Sequence, residues 1–224
     1  LLRELMHMGQ TIQSHSMHFF ELAGPDLLLG FDADPAIRNV VGIIQANPDL
    51  ALKAVRLRGF GQDIIKRLGG KRVHPVFAVP GGVNAPLSVK DRDAILGQID
   101  EMTEVIKIGI AVGKGWYEKN MDLVNQFAVF SSGYMGLVDN EGGLQLYDGK
   151  VRLVDKNGKK LEEFSDQDYL MYIGEHVEDW SYLKFPFYRK MGWPNGTYRV
   201  GPLGRLNAAT KITTPRAAEE FKVW

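Results

Sequence analysis

Residues Gly9–Leu29 read GQTIQSHSMHFFELAGPDLLL, and their spacing predicts the helix on which the N-terminal part is built. Leu5, Met8, Ile12, His15, Phe19 and Leu22 fall on one stripe with a 3.6-residue period. His15 is thereby placed on the apolar face. His7, Thr11, Ser14 and His18 form a neighbouring polar stripe, with Gln10 and Gln13 beside it. Polar groups flanking an apolar stripe predict a helix packed on most of its sides. Gly24-Pro25-Asp26 is expected to stop it. Two readings of His15 and His18 stay open. They are core histidines with satisfied hydrogen bonds, or they line a site.

Working outward, Asp34-Pro35 has the form of an N-cap followed by Pro at the first helical position, predicting a helix over Ala36 to Gln45. Asn47-Pro48 repeats the pattern. The helix it opens runs to Leu68, with Leu57, Phe60, Ile64, Ile65 and Leu68 on one face, and Gly69-Gly70 ends it. Ser88 to Asp91 forms a capping box. It opens a long helix with Ile95, Ile99, Met102 and Ile106 as its apolar stripe. Four helices joined by short Pro-marked turns predict a bundle.

The pattern then changes. The stretch Val138 to Leu144, Asp148-Gly149 and Asn157-Gly158 are turn signals, and Leu144/Leu146 and Val151/Leu153 alternate with polar residues. A small antiparallel meander is expected over residues 134–164. Ser165 to Asp168 is a second capping box, ahead of a helix with Leu170, Ile173, Val177 and Trp180 on one face. Beyond Trp180 the chain is rich in aromatics, Gly and Pro, predicting an extended segment wrapped over the bundle rather than a linker. The expected fold class is α+β, mainly α: a helical bundle with a small antiparallel β-meander inserted. Residues 1–224 are read as a single partial domain, with a helical part over 1–130, the meander over 134–164, and a helix with the wrapping segment over 165–224.

Composition excludes several classes. Apolar residues make up 45% and charged residues 24%, and the net charge is zero, so no electrostatic nucleic-acid binder is indicated. No apolar run approaches the roughly 20 residues of a membrane span. The chain has no cysteine, which excludes a disulfide framework.

Three motifs fail on inspection. Gly109–Gly115 hints at a phosphate loop, but it is one residue short and lacks the Ser or Thr that would meet magnesium. Gly59-Phe60-Gly61 starts like a dinucleotide fingerprint, with Ile64 where the third glycine belongs. Asn195-Gly196-Thr197 fits a glycosylation acceptor by chance spacing. No His pair has the i, i+4 spacing of a metalloprotease helix. The Pro80-Gly81-Gly82 loop allows close backbone approach, either to a cofactor or simply in a tight turn. His74 and Arg72 precede it, and Arg199 and Arg205 flank Gly201-Pro202.

Taken in order, five strings carry a resemblance: Gly9–Gly30; Gly69-Gly70-Lys71-Arg72-Val73-His74-Pro75 with Val79-Pro80-Gly81-Gly82-Val83-Asn84; Leu146–Gly149; Trp180–Pro186; and Tyr198–Asn207. Together they resemble the large-subunit family of cytoplasmic nickel–iron hydrogenases, in the NAD-reducing, bidirectional branch. Gly204 stands where that family usually carries Ala, a minor change by this reading.

The resemblance implies that the chain is the middle of a catalytic large subunit, with both cysteine motifs lying outside Leu1 and Trp224. The parent would hold a Ni–Fe centre and interconvert hydrogen with protons and electrons. The segment alone would bind no metal, contribute no catalytic residue and be inactive. His15, His18, His74, Gly81 and Gly82 are the residues it would place around the site without ligating the metals. Implied partners are flavin- and NAD(P)-binding subunits together with an iron–sulfur small subunit, in the cytoplasm, with neither nucleic acid nor a membrane span. The alternatives are a metal-free relative akin to the quinone-binding core subunit of complex I, or a non-catalytic scaffold.

Overall fold

In the computed structural model the first predicted helix forms as α1, Leu2–Ser16. Residues 1–222 are described; Val223 and Trp224, on which the expected closing stretch ends, lie outside them. The chain divides into two units, Leu1–Phe127 and Ala128–Trp224. The result is α+β, as the sequence predicts.

In the first unit a π-helical stretch, Met17–Ala23, follows α1 and leads into α2, Gly24–Leu29. The predicted stop at Gly24-Pro25-Asp26 is therefore corrected. Pro is tolerated in the first turn of a helix, and a wide turn just before it relieves the missing N–H and the ring clash. Next comes α3, Val40–Ala46, shorter than predicted and capped by Asn39, whose Oδ1 accepts from Val41 N at 2.9 Å and Gly42 N at 3.2 Å. Asp34 caps only the single turn ahead of it, accepting from Ala36 N. The central helix α4, Pro48–Gly69, has the predicted ends: Asn47 caps it, and Gly70 closes it at φ 78°.

A hairpin of β1 (Ala78–Val79) and β2 (Gly82–Val83) follows, then α5 (Val89–Leu96), α6 (Ile99–Lys119) and α7 (Met121–Val124). Ser88 caps α5 through Asp91 N at 3.0 Å. The single long helix expected here is broken at Gly97-Gln98, where Gly97 N still bonds Asp93 O and a new helix starts two residues on; Gly is a poor helix former. Ile95, Met102, Val105 and Gly109 are buried, while Ile99 and Ile106 are exposed.

The first unit's core gathers on α4: Leu50, Ala54, Leu57, Phe60, Ile64 and Leu68 are buried against Phe20, Phe77 and Met102. On α1 the most buried residues are Gly9, Gln13 and Ser16, beside the predicted stripe, of which Leu5, Ile12 and Phe19 are half-buried and pack against the core as expected. His15 is exposed. Gly9 sits where α1 and α4 approach closely: a Cβ there would stand 2.9 Å from Ile64 Cγ2.

In the second unit four strands form near the bounds predicted for the meander, β3 (Gly133–Val138), β4 (Leu144–Gln145), β5 (Lys150–Val154) and β6 (Lys160–Phe164), but in the order β4-β3-β5-β6: β5 returns to the far side of β3, so the predicted meander connectivity is corrected. Asp155 Oδ1 accepts from Asn157 N and Lys159 N in the β5–β6 turn, where Gly158 has φ 79°. The helix predicted over Leu170 to Trp180 is corrected. Ser165 accepts from Gln167 N rather than Asp168 N, and the helix α8 that follows is one turn, Tyr169–Tyr172. Ile173–Val177 is then strand β7, paired antiparallel with β8, Lys184–Tyr188. Alternation at Ile173, Glu175 and Val177 suits a strand as well as a helix face, and the β-branched ends favour the strand.

The predicted extended segment is also corrected. After β9 (Tyr198–Arg199), parallel to β3, come two helices, α9 (Gly201–Ala208) and α10 (Pro215–Phe221), each with Pro in its first turn. Helix α9 lies on β3 through glycines. A Cβ on Gly136 would stand 2.9 Å from Arg205 Cα, and one on Gly204 would stand 2.5 Å from Arg199 O and 2.7 Å from Met135 O. Alanine at 204 is therefore not a minor change in this fold.

Candidate functional site

The residues proposed from sequence occupy different settings. His15 and His18 lie on the exposed side of the α1 helix and its π-helical continuation. His74 is exposed in the segment after α4, with φ 48°. Gly81 turns the β1–β2 hairpin at φ 84° with open space where a Cβ would be, and Gly82 is half-buried beside it. Among the described residues no group of three His, Cys, Asp or Glu side chains is placed to hold a metal ion.

A residue the sequence did not flag organises the glycine loop. Arg3 Nη2 donates to Val79 O at 2.7 Å and Gly82 O at 2.6 Å, and its Nε donates to Gly82 O at 3.1 Å. The guanidinium thus satisfies the hairpin carbonyls from the start of α1. An Arg at the start of a helix, long before a Pro-Gly-Gly loop, offers no local pattern that would announce the contact.

A second arrangement lies where α2, α3 and α4 meet. A cleft of about 150 Å³ is walled by Phe20, Leu28, Val40, Ile44, Leu50 and Val55, with Glu21 and Arg58 at its edge. Arg58 Nη1 is 3.6 Å from Glu21 Oε2, while its Nε is buried and has no hydrogen-bond partner. The wall is apolar, while the unmet Arg58 Nε is sealed from solvent and so from any occupant of the cleft.

The second unit has a more polar cavity of about 220 Å³, reached by Ser132, Asp155, Tyr188 and Thr197. These groups are engaged within the unit. Tyr188 donates to Glu162 Oε2 at 3.0 Å, and Lys190 donates to the same oxygen at 2.5 Å. The Lys190 bond, with help from Tyr188, holds the Glu162 carboxyl below its ordinary value despite burial. Burial first, and then Glu162, pushes the Tyr188 hydroxyl up. Nearby, His176 stacks on Trp193 at 4.6 Å and meets Glu178 Oε1 through Nε2 at 2.9 Å. Arg199 lies 3.9 Å over the Phe130 ring and donates to Ala128 O. Burial pulls the Arg205 guanidinium down. These are packing arrangements, with no nucleophile–base pair among them.

No family model matches the chain. Among curated proteins it is 46% identical over 221 residues to a subunit of the vhu F420-non-reducing hydrogenase of Methanocaldococcus jannaschii, covering 99% of this chain and 52% of that protein. It is 39% identical over 227 residues to the beta subunit of the NAD-reducing hydrogenase HoxS of Cupriavidus necator, covering 99% and 46%. Among solved structures it matches a crystal structure of NAD+-reducing [NiFe]-hydrogenase in the H2-reduced state with a TM-score of 0.96 and 41% identity, over 99% of this chain and 49% of that one. The chain spans about half the length of the relatives it matches.

These names correct three expectations. One relative is named as a vhu hydrogenase subunit and the other as HoxS beta, and neither is named a nickel–iron large subunit. The assignment to the middle of a nickel–iron large subunit is withdrawn, together with the complex I alternative. The Ni–Fe centre attached to that assignment goes with it; a chain without cysteine offers such a centre no thiolate. Both relatives are named as hydrogenase subunits, and no helix of the described residues is long and apolar enough to cross a membrane. What this chain resembles, over 99% of its own length, is about half of a hydrogenase subunit of the vhu/HoxS-beta kind.

Proposed function

We propose that this chain is the packing core of a hydrogenase subunit of the vhu/HoxS-beta kind, working inside a multi-subunit, hydrogen-handling oxidoreductase of the cytoplasm. The observation that carries the reading is the match in fold at a TM-score of 0.96 with 41% identity over 99% of the chain. At that identity, similar sequence and similar architecture point to the same assembly role. Its partners are iron–sulfur-bearing subunits and flavin- or NAD(P)-binding subunits. His15, His18, His74 and the Gly81-Gly82 loop, held by Arg3, face those partners or the rest of the subunit rather than the chain's own core.

The test is a tagged copy of the chain purified from its native host, with hydrogen-dependent dye reduction as the readout. Hydrogenase subunits are expected in the eluate together with that activity, and deletion of the coding region should abolish it in extracts. The purified chain alone should reduce no dye under hydrogen. Full activity in the deletion strain, with no hydrogenase subunit co-purifying, would overturn the reading.

A further inference from the structure

The sequence holds two Asn-Gly steps, Asn157-Gly158 and Asn195-Gly196, and the fold treats them in opposite ways. Such a step is able to modify itself. The main-chain nitrogen of the glycine attacks the asparagine amide carbon, a C–N bond closes a cyclic imide, and the side-chain nitrogen leaves as ammonia, taking the proton that the main-chain nitrogen gives up. Water then opens the imide at either carbonyl, giving aspartate or isoaspartate. Asparagine is thermally labile, and a following glycine speeds the attack because it has no Cβ to hinder the approach.

The outcome depends on whether the peptide between the two residues turns far enough for the nitrogen to reach the amide carbon. At Asn195 it is held. Gly196 is buried. Its N–H donates to Gly192 O at 2.6 Å and its carbonyl accepts from Tyr188 N at 2.9 Å. A Cβ built on it would stand 2.9 Å from Gly192 O and 3.0 Å from Tyr188 N. Turning this peptide breaks both bonds inside a packed corner.

Asn157 stands at the tip of the β5–β6 turn. Residues 156–160 are all exposed, and a Cβ on Gly158 would meet open space. The turn is held through Asp155. Its Oδ1 accepts from Asn157 N at 2.8 Å and Lys159 N at 2.9 Å, its carbonyl accepts from Gly158 N at 3.0 Å, and its N–H donates to Lys159 O at 2.9 Å. An exposed turn opens at small free-energy cost, and opening frees the Gly158 nitrogen. Lys156 and Lys159 flank the step and favour the negative charge that builds as this nitrogen loses its proton.

We propose that Asn157 is a site of spontaneous deamidation and isoaspartate formation, gated by the Asp155 hydrogen bonds, while the fold protects Asn195. The product acts on the sheet. It adds a carboxylate between Lys156 and Lys159, and the isoaspartate form inserts an extra main-chain carbon between the Asn157 and Lys159 amides that share Asp155 Oδ1. The β5–β6 turn of an aged chain is therefore looser than that of a fresh one.

The test incubates the folded chain at mildly alkaline pH and maps its peptides by mass spectrometry. Peptides carrying residue 157 are expected to gain the mass unit that exchange of the amide for a carboxylic acid brings, and to take methyl groups from a protein isoaspartyl methyltransferase. Peptides carrying residue 195 should stay unchanged. In urea, where neither step is held, both should convert at similar rates. D155A removes the two bonds to Oδ1 and should speed conversion at Asn157 about tenfold, with a circular dichroism spectrum matching the parent's. Conversion of Asn195 as fast as Asn157 in the folded chain would overturn the proposal. So would an Asn157 that converts in urea but stays intact in the folded chain. An equal rate in D155A would overturn the gate assigned to Asp155.

Discussion

Gly9 of α1 and Gly61 of α4 meet backbone to backbone: a Cβ on Gly61 would lie 2.6 Å from Gly9 O and 2.7 Å from Gln13 N. Both contacts are with main chain, so no rotamer change relieves them. G61A is expected to destabilise the protein by about 1–3 kcal/mol through overpacking. The shift in urea midpoint at unchanged slope measures it. An unshifted midpoint would show that the two helices can separate freely.

Gly204 sits under the same constraint in the second unit, with Arg199 O and Met135 O at 2.5 and 2.7 Å from a Cβ built there. G204A should lift α9 off β3 at a cost of about 2 kcal/mol, visible as faster exchange of the Gly204 and Ala209 amides. By contrast G59A, where a Cβ would meet open space, should be neutral or stabilising.

Arg3 fastens the glycine hairpin through three bonds to two carbonyls. In R3A those carbonyls lose a charged partner, and the Asn84 N–H, which closes the hairpin onto Phe77 O at 2.8 Å, should exchange about tenfold faster. R3K restores the charge without the fork and should recover only part of the protection. Equal exchange in all three proteins would remove Arg3 from the account.

The Glu162 cluster sets an acid response. Lys190 and Tyr188 hold the carboxyl below its usual value. Its contribution to stability is therefore complete above the ordinary carboxylate range and is lost as pH falls through the depressed folded-state value. E162Q should lower the urea midpoint at neutral pH, and the gap to the parent protein should narrow as the pH drops below about 4. A gap that widens in acid would reverse the sign and defeat the assignment.

Helix ends written in local chemistry were legible in the sequence: Asn47-Pro48, Gly69-Gly70 and Ser88 act where they were expected to. The strands over 134–164 were legible too, because their turns carry Asp and Gly at fixed offsets, while their order was not. What failed depended on distant partners. Ile173–Val177 has a spacing that fits either period, and only β8 decides between them. The predicted stripe of α1 does meet the core through Leu5, Ile12 and Phe19, but the burial of Gly9 beside it was missed because it depends on the close crossing with α4. The cleft at Arg58 was invisible for a similar reason, since its walls come from three helices.

Phe19 and Phe20 are consecutive, and on a regular helix they would diverge by about 100°. Both nonetheless reach α6: Phe20 Cζ is 2.8 Å from a Cβ built on Gly109, and Phe19 Cζ is 3.5 Å from one built on Gly113. The wide turn at Met17–Ala23 changes the angular step between neighbours and lets two successive rings straddle one groove. The length of that turn is thereby a setting for everything downstream. Removing one residue from it would swing Leu28 and the wall it belongs to around the helix axis, so a short deletion there acts as a rotation rather than as the loss of a side chain.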